Sequence, residues 1–281
     1  MFFHVKETQY RCKPDRPDPV YAKKLQEVLG GQFGEISVMM QYLFQGWNCR
    51  AEPKYRDMLL DIGTEEIAHV EMLATMIAQL LDGAPVDQVE RAAQDPVLGA
   101  VLGGMNPQHV IVSGLGAKPD DSAGYPWTSR YTIASGNLLA DFRANLNAES
   151  QGRLQVVRLY ELTTDHGVRD MLSFLIARDT MHQNQWMAAI QELESIPNMN
   201  ATVPSSFPRN QEKQEVAYQF MNFSQGSESS QGAWARGPAL DGIGQFQYVE
   251  RPQAMGGAPQ LQPAPPFVHS TPGMPPVLVN A

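Results

Sequence analysis

The stretch DIGTEEIAHVEMLATMI, residues 61–77, sets Glu66 and His69 three positions apart in a run of apolar residues at helical spacing. On an α-helix that spacing puts both side chains on one face. A second stretch, LIARDTMHQNQW at residues 175–186, repeats the arrangement with Asp179 and His182. Each is preceded by a Glu in a helical segment: Glu35 stands 34 positions before His69, and Glu149 stands 33 before His182. Two antiparallel hairpins in matched register would bring four carboxylates and two imidazoles to one level. That is the donor arithmetic of a carboxylate-bridged dinuclear metal site inside a helical bundle. A single E-x-x-H is common surface decoration. The doubled pattern is harder to dismiss, because buried acids are costly without a cation. Hard carboxylates with two imidazoles suit manganese or iron and disfavour soft metals.

Working outward, helical periodicity extends over residues 19–48, 53–81, 136–164 and 168–196. Pro53 suits a first helical position, Gly83 a stop, and Pro197 blocks continuation. These stretches far exceed the mean globular helix of about 12 residues. The first two are joined by a few residues near 50–52 and the last two near 165–167, which makes each pair an antiparallel hairpin. Between the hairpins lies a link, residues 84–135, rich in Gly, Pro, Asp and Ser. The expected fold is therefore all-α, a ferritin-like four-helix bundle over 19–197 with one long crossover, after an N-terminal segment, 1–18.

Residues 198–281 break with that pattern. They hold 9 of the 21 prolines between Pro238 and Pro276, and no Asp, Glu, Lys or Arg from Pro252 onward. Trp234, Phe246, Tyr248, Met255, Leu261, Phe267, Val277 and Leu278 are spread along them. Such a segment is expected to be an extended irregular arm laid on a neighbouring subunit rather than a free tail.

The 281 residues carry a net charge of −9, which argues against a nucleic-acid footprint or an anionic-membrane anchor. The opening MFFHVKETQY lacks the pattern of a secretory leader, and no apolar run approaches the roughly 20 residues of a membrane span. Cys12 and Cys49 are too few for a disulfide framework or a thiolate metal site, so reduced thiols and a cytoplasmic location are expected.

Around the donor pattern, Gly30, Gly31 and Gly34 would allow backbones or a cluster to approach closely, and Tyr42 lies two turns past Glu35 on its face. Arg153, one turn past Glu149, could balance charge. His4, His109, His166 and His269 lack the spacing and read as loop or surface residues. Asp57 and Asp61 share a helix face, and Asn222, Ser224 and Gly226 alternate in MNFSQG. Oxygen donors of this kind suit calcium, against the plainer reading of a solvated helix face.

PDRPDPVYAKKLQEVLGGQFGEISVMMQYLFQGW (14–47), DIGTEEIAHVEMLATMI (61–77), AESQGRLQVVRLY (148–160) and MLSFLIARDTMHQNQW (171–186) resemble the manganese catalases. The likeness reaches the tail through MNFSQG (221–226) and YVERPQAMGGAP (248–259). It implies disproportionation of hydrogen peroxide at a dimanganese pair, usually in a homohexamer. It implies two manganese ions per chain on Glu35, Glu66, His69, Glu149 and His182, with Glu66 bridging. It makes Asp179 a non-ligating acid that handles protons, Tyr42 a neighbour of the ligands, and Asp57, Asp61, Asn222, Ser224 and Gly226 calcium ligands. Two positions depart from some members: Asp179 stands where they carry Glu, and Ala148 where they carry Arg just before the third ligand. Two other readings stand beside this one, a di-iron oxidase or ferroxidase and a structural spore-coat-type protein keeping the same bundle.

Overall fold

The computed structural model describes residues 4–82, 112–196, 203 and 211–261. The chain divides into two compact units, Met1–Ser205 and Ser206–Ala281. Within the first unit α1 spans Pro19–Gly30, α2 Glu35–Asn48, α3 Pro53–Leu81, α4 Leu138–Glu161 and α5 His166–Ser195. The expected hairpins are both present, one from α2 and α3 and the other from α4 and α5. Most of the crossover and the last 20 residues, including His109, His269, Phe267, Val277 and Leu278, lie outside the described residues.

The first expected helix, 19–48, is two helices. Gly31 closes α1 with an extended backbone (φ −72°, ψ 175°), and Gly34 precedes α2 with φ −83° and ψ 168°. A Cβ on Gly31 would lie 2.4 Å from the Glu27 carbonyl oxygen, and one on Gly34 would lie 2.9 Å from that of Val28. These glycines let the chain fold back across the end of α1. The break places Glu35 in the first turn of α2 rather than mid-helix. Gly63 serves closeness instead: its missing Cβ would sit 3.1 Å from Leu43, where α3 packs on α2.

The starts of α1, α4 and α5 are fixed by side-chain caps. Asp18 accepts from Tyr21 N, Asn137 from Ala140 N and Asp165 from Val168 N. Asp165 also accepts from Asp15 N, while Asp15 accepts from His166 N, so the N-terminal segment is stitched to the start of α5. Against that start, a Cβ on Gly167 would meet the Lys13 carbonyl oxygen at 1.9 Å.

Apolar packing forms two buried clusters. One gathers Leu25, Leu29, Met72, Leu73, Met76, Ile77, Leu80, Val168, Met171 and Leu172. The other gathers Val38, Tyr42, Tyr55, Leu59, Ile62, Phe142, Trp186 and Ile190. Along α3 the order is second cluster, then Glu66 and His69, then first cluster; along α5 it runs the opposite way around Asp179 and His182. The donor layer therefore lies between two apolar blocks.

The second unit is not wholly irregular among its described residues. It contains α6 (Gln214–Ala217) and a small sheet in the order β1 (Gln219–Met221), β3 (Gln245–Val249), β2 (Gly237–Pro238), with β1 and β3 parallel. Leu240, Met255 and Leu261 are exposed, as is Phe223.

Asp165→Ala removes a helix cap and the acceptor for the Asp15 amide. It should lower stability by about 0.5–2 kcal/mol, read as a lower denaturation midpoint; an unchanged midpoint would show that the stitch contributes nothing.

Candidate metal centre

Four helices meet at the donor layer. Glu35 comes from the first turn of α2, Glu66 and His69 from adjacent turns of α3, Glu149 from the middle of α4, and Asp179 and His182 from α5. Every one is buried, with 0–7 % of its surface exposed. Glu35, Glu66 and His69 place donor atoms within 4.8 Å of one another, as do Glu66, Glu149 and His182. Glu66 belongs to both groups. Asp179 belongs to neither.

The imidazoles meet this carboxylate from opposite sides. His69 Nδ1 lies 2.7 Å from Glu66 Oε2 and 3.7 Å from Glu35 Oε2. His182 Nδ1 lies 2.8 Å from Glu66 Oε1 and 3.5 Å from Glu149 Oε1. Both Nδ1 atoms therefore turn toward the carboxylates. Glu66 Oε1 and His182 Nδ1 are buried and without a hydrogen-bond partner despite their proximity. Buried polar atoms seldom go unpaired, and a cation between them would satisfy both lone pairs.

The proton affinities report the same crowding. Burial, then the charge of Glu66, pushes Glu35 up to about 8. Burial and the charges of Glu35, Glu149 and Glu66 hold Asp179 well above the ordinary carboxyl range. For His182 burial favours the neutral ring, but the facing carboxylates of Glu149, Glu65 and Glu66 outweigh it and raise the ring to about 12. Burial also opposes the charge of Glu66, and the facing imidazoles overcome it and hold the acid low. A dication bound among these groups would displace the protons they hold.

Tyr42 reaches the layer as its spacing implies, donating its hydroxyl to Glu149 Oε1 at 2.6 Å. Arg153 does not: its Nε donates to Thr180. Ala148 is buried in the second apolar cluster. Charge compensation comes instead from residues the sequence reading passed over. Arg178 donates Nε and Nη2 to Glu65, at 2.6 and 3.1 Å, and Glu65 in turn faces both imidazoles. The signal was the double acid in TEEIAH, of which the i, i+3 rule selects only one. His4 and His166 are exposed partners of Glu71 and Asp15. Asp57 and Asp61 are exposed on α3. Asn222, Ser224 and Gly226 form a closed turn in the second unit, with Ser224 N donating to Asn222 Oδ1 and Asn222 Nδ2 to the Gly226 carbonyl.

A sequence model described as manganese containing catalase matches residues 1–276. The chain is 67% identical over 272 residues to the uncharacterized protein YjqC of Bacillus subtilis, covering 96% of this chain and 98% of that one. It is 63% identical over 271 residues to a manganese catalase of the same organism, with the same coverage. The crystal structure of KatB, a manganese catalase from Anabaena, superposes with a TM-score of 0.70 at 29% identity, covering 90% of this chain and all of that one. Among the described residues no helix is long and apolar enough to cross a membrane. A buried layer of acids and imidazoles with unpaired donor atoms, carried on a chain that matches the family almost end to end, places this protein in the manganese-containing catalases.

Proposed function

We propose that the donor layer holds two manganese ions per chain and that the chain disproportionates hydrogen peroxide to water and dioxygen on them. The observation that carries this is Glu66, shared by two groups of three donors, with an Nδ1 on each side. Glu35 and His69 would complete one position and Glu149 and His182 the other, with Glu66 bridging. Bound manganese would supply the two-electron redox chemistry that the disproportionation of peroxide needs.

The chain's own residues do the rest. The two apolar blocks exclude bulk water from the layer. Tyr42, with its proton held well above the ordinary range by burial and by Glu149, stays a hydroxyl and fixes that carboxylate's orientation. Asp179, outside both donor groups and with its proton affinity raised by burial and its acidic neighbours, would give and take protons as peroxide oxygens become water.

Four finer readings belong to the same proposal. A calcium ion would take oxygen donors from Asp57, Asp61, Asn222, Ser224 and Gly226. The protein would assemble as a homohexamer in which the C-terminal segment packs between subunits, a reading supported by the exposed Phe223, Leu240, Met255 and Leu261. Its free thiols, Cys12 and Cys49, suit the cytoplasm. Its substrate side involves neither nucleic acid nor membrane. Burying six ionisable side chains has no use in a shell subunit, which disfavours the coat-protein reading.

Glu66→Gln should empty the centre of manganese and abolish dioxygen release from peroxide, while Asp179→Asn should slow turnover and leave metal content intact. Loss of manganese in Asp179→Asn would make it a ligand. Because manganese displaces protons from Glu35 and the imidazoles, Mn(II) affinity of the metal-free chain should rise as pH approaches about 8, the Glu35 value. Calorimetry in buffers of different ionisation enthalpy reads the protons released; an affinity independent of pH would contradict the assignment.

A further inference from the structure

Behind the two imidazoles, on the side away from Glu66, stands a carboxylate that neither donor group includes. Glu65 Oε2 lies 3.1 Å from His182 Nε2, and Glu65 Oε1 lies 3.7 Å from His69 Nε2. The rings come from different helices and lie 5.8 Å apart between centroids, inclined by 29°, so one carboxylate spans both. His69 Nε2 is buried and has no hydrogen-bond partner at that separation. The outer edge of the carboxylate is occupied by three further donors: Arg178 Nε on Oε1, Arg178 Nη2 on Oε2, and Gln9 Nε2 on Oε1 at 2.9 Å. Gln9 belongs to the N-terminal segment, whose Tyr10 stacks on Phe174 at 4.5 Å, and Phe174 meets the His69 ring edge-on. The imidazole side of the layer is thus walled by Glu65, Arg178, Phe174 and the segment carrying Gln9 and Tyr10.

We propose that Glu65 is the positioning residue of the metal centre, one carboxylate that stands behind both rings, hydrogen-bonded to His182 Nε2 and facing His69 Nε2 at 3.7 Å, and so presents both Nδ1 lone pairs to the metals. This rests on the manganese reading above. A ligating imidazole must be neutral and must carry its one proton on the nitrogen facing away from the metal. A carboxylate behind the ring selects that tautomer and strengthens the donor atom. Here a single side chain does so for both positions, coupling the orientation of one ring to that of the other. Arg178 keeps Glu65 ionised and aimed with a two-point contact. It also brings a positive charge to the layer without placing it among the ligands.

The plainer alternative is that Glu65 and Arg178 only tie α3 to α5 as an ion pair. The two readings part on a pair of variants in the full-length, manganese-loaded protein. Under the ion-pair reading, Glu65→Gln and Arg178→Ala break the same contact and behave alike. Under the positioning reading, Glu65→Gln offers one ring an amide N–H instead of an acceptor. It should weaken manganese retention against a chelator by about 10–100-fold and alter the EPR signal of the Mn(II) pair. Arg178→Ala, which leaves the carboxylate facing both rings, should lose less. Circular dichroism establishes that each variant is folded. Should Glu65→Gln fail to fold, Glu65→Asp keeps the charge for Arg178 but withdraws it by one methylene, and it should lose manganese in the same way. Equal losses in the two main variants, or wild-type retention in either Glu65 variant, would overturn the proposal. Wild-type protein that takes up no manganese would overturn the parent reading instead.

Discussion

The fold is organised around the cost of burying six ionisable side chains in one plane. Glu35, Glu66, His69, Glu149, Asp179 and His182 lie between two apolar clusters, where an uncompensated charge is prohibitive. The neighbouring features answer that cost. Long helices supply enough apolar surface on both sides of the layer to hold it closed. Paired acids and imidazoles share protons when no cation is present, which is why Glu35 and Asp179 are driven up while Glu66 is held down. Compensation from outside the plane arrives through Glu65 and Arg178, at the backs of the rings.

The centre also explains why the helices interlock in this order. Each of α2, α3, α4 and α5 contributes at least one donor, so none can slide or rotate by a turn without uncoupling the layer. Gly63 permits the close approach of α2 and α3 that sets Glu35 beside His69, and the caps at Asn137 and Asp165 fix where α4 and α5 begin counting. Distant backbone features therefore act on the metal centre as a ruler acts on a measurement.

Much of this was legible in the sequence because helical spacing is a strong constraint. The i, i+3 pairs Glu66–His69 and Asp179–His182, with a Glu at matched distance before each, named the layer, and their helices follow within a few residues. What periodicity does not show is what happens between helices or off their principal face. The interruption at residues 31–34 was hidden because apolar residues continue in phase on both sides of the glycines; only close contact with the Glu27 and Val28 carbonyls reveals the need for them. Glu65 was overlooked because it lies a third of a turn from its neighbour Glu66, and its importance depends on His182 and Arg178, more than a hundred residues away. Arg153 had suitable spacing on α4, yet its hydrogen bond to Thr180 turns it elsewhere. The short sheet of the second unit has strands of only two to five residues, too brief for alternation to register.

The interruption before Glu35 has one more consequence. The repeated spacing suggests two equivalent halves, but the halves present their acids differently. Glu35 begins a helix, beside amides that have no intrahelical acceptor and carry partial positive charge. Glu149 sits in mid-helix, where such amides are spoken for, and relies on the Tyr42 hydroxyl. The repeated hairpin pattern is in this way unlike at its two halves: one acid leans on helix-terminal amides and the other on a phenol hydroxyl, so a symmetric pattern of letters folds into an asymmetric layer.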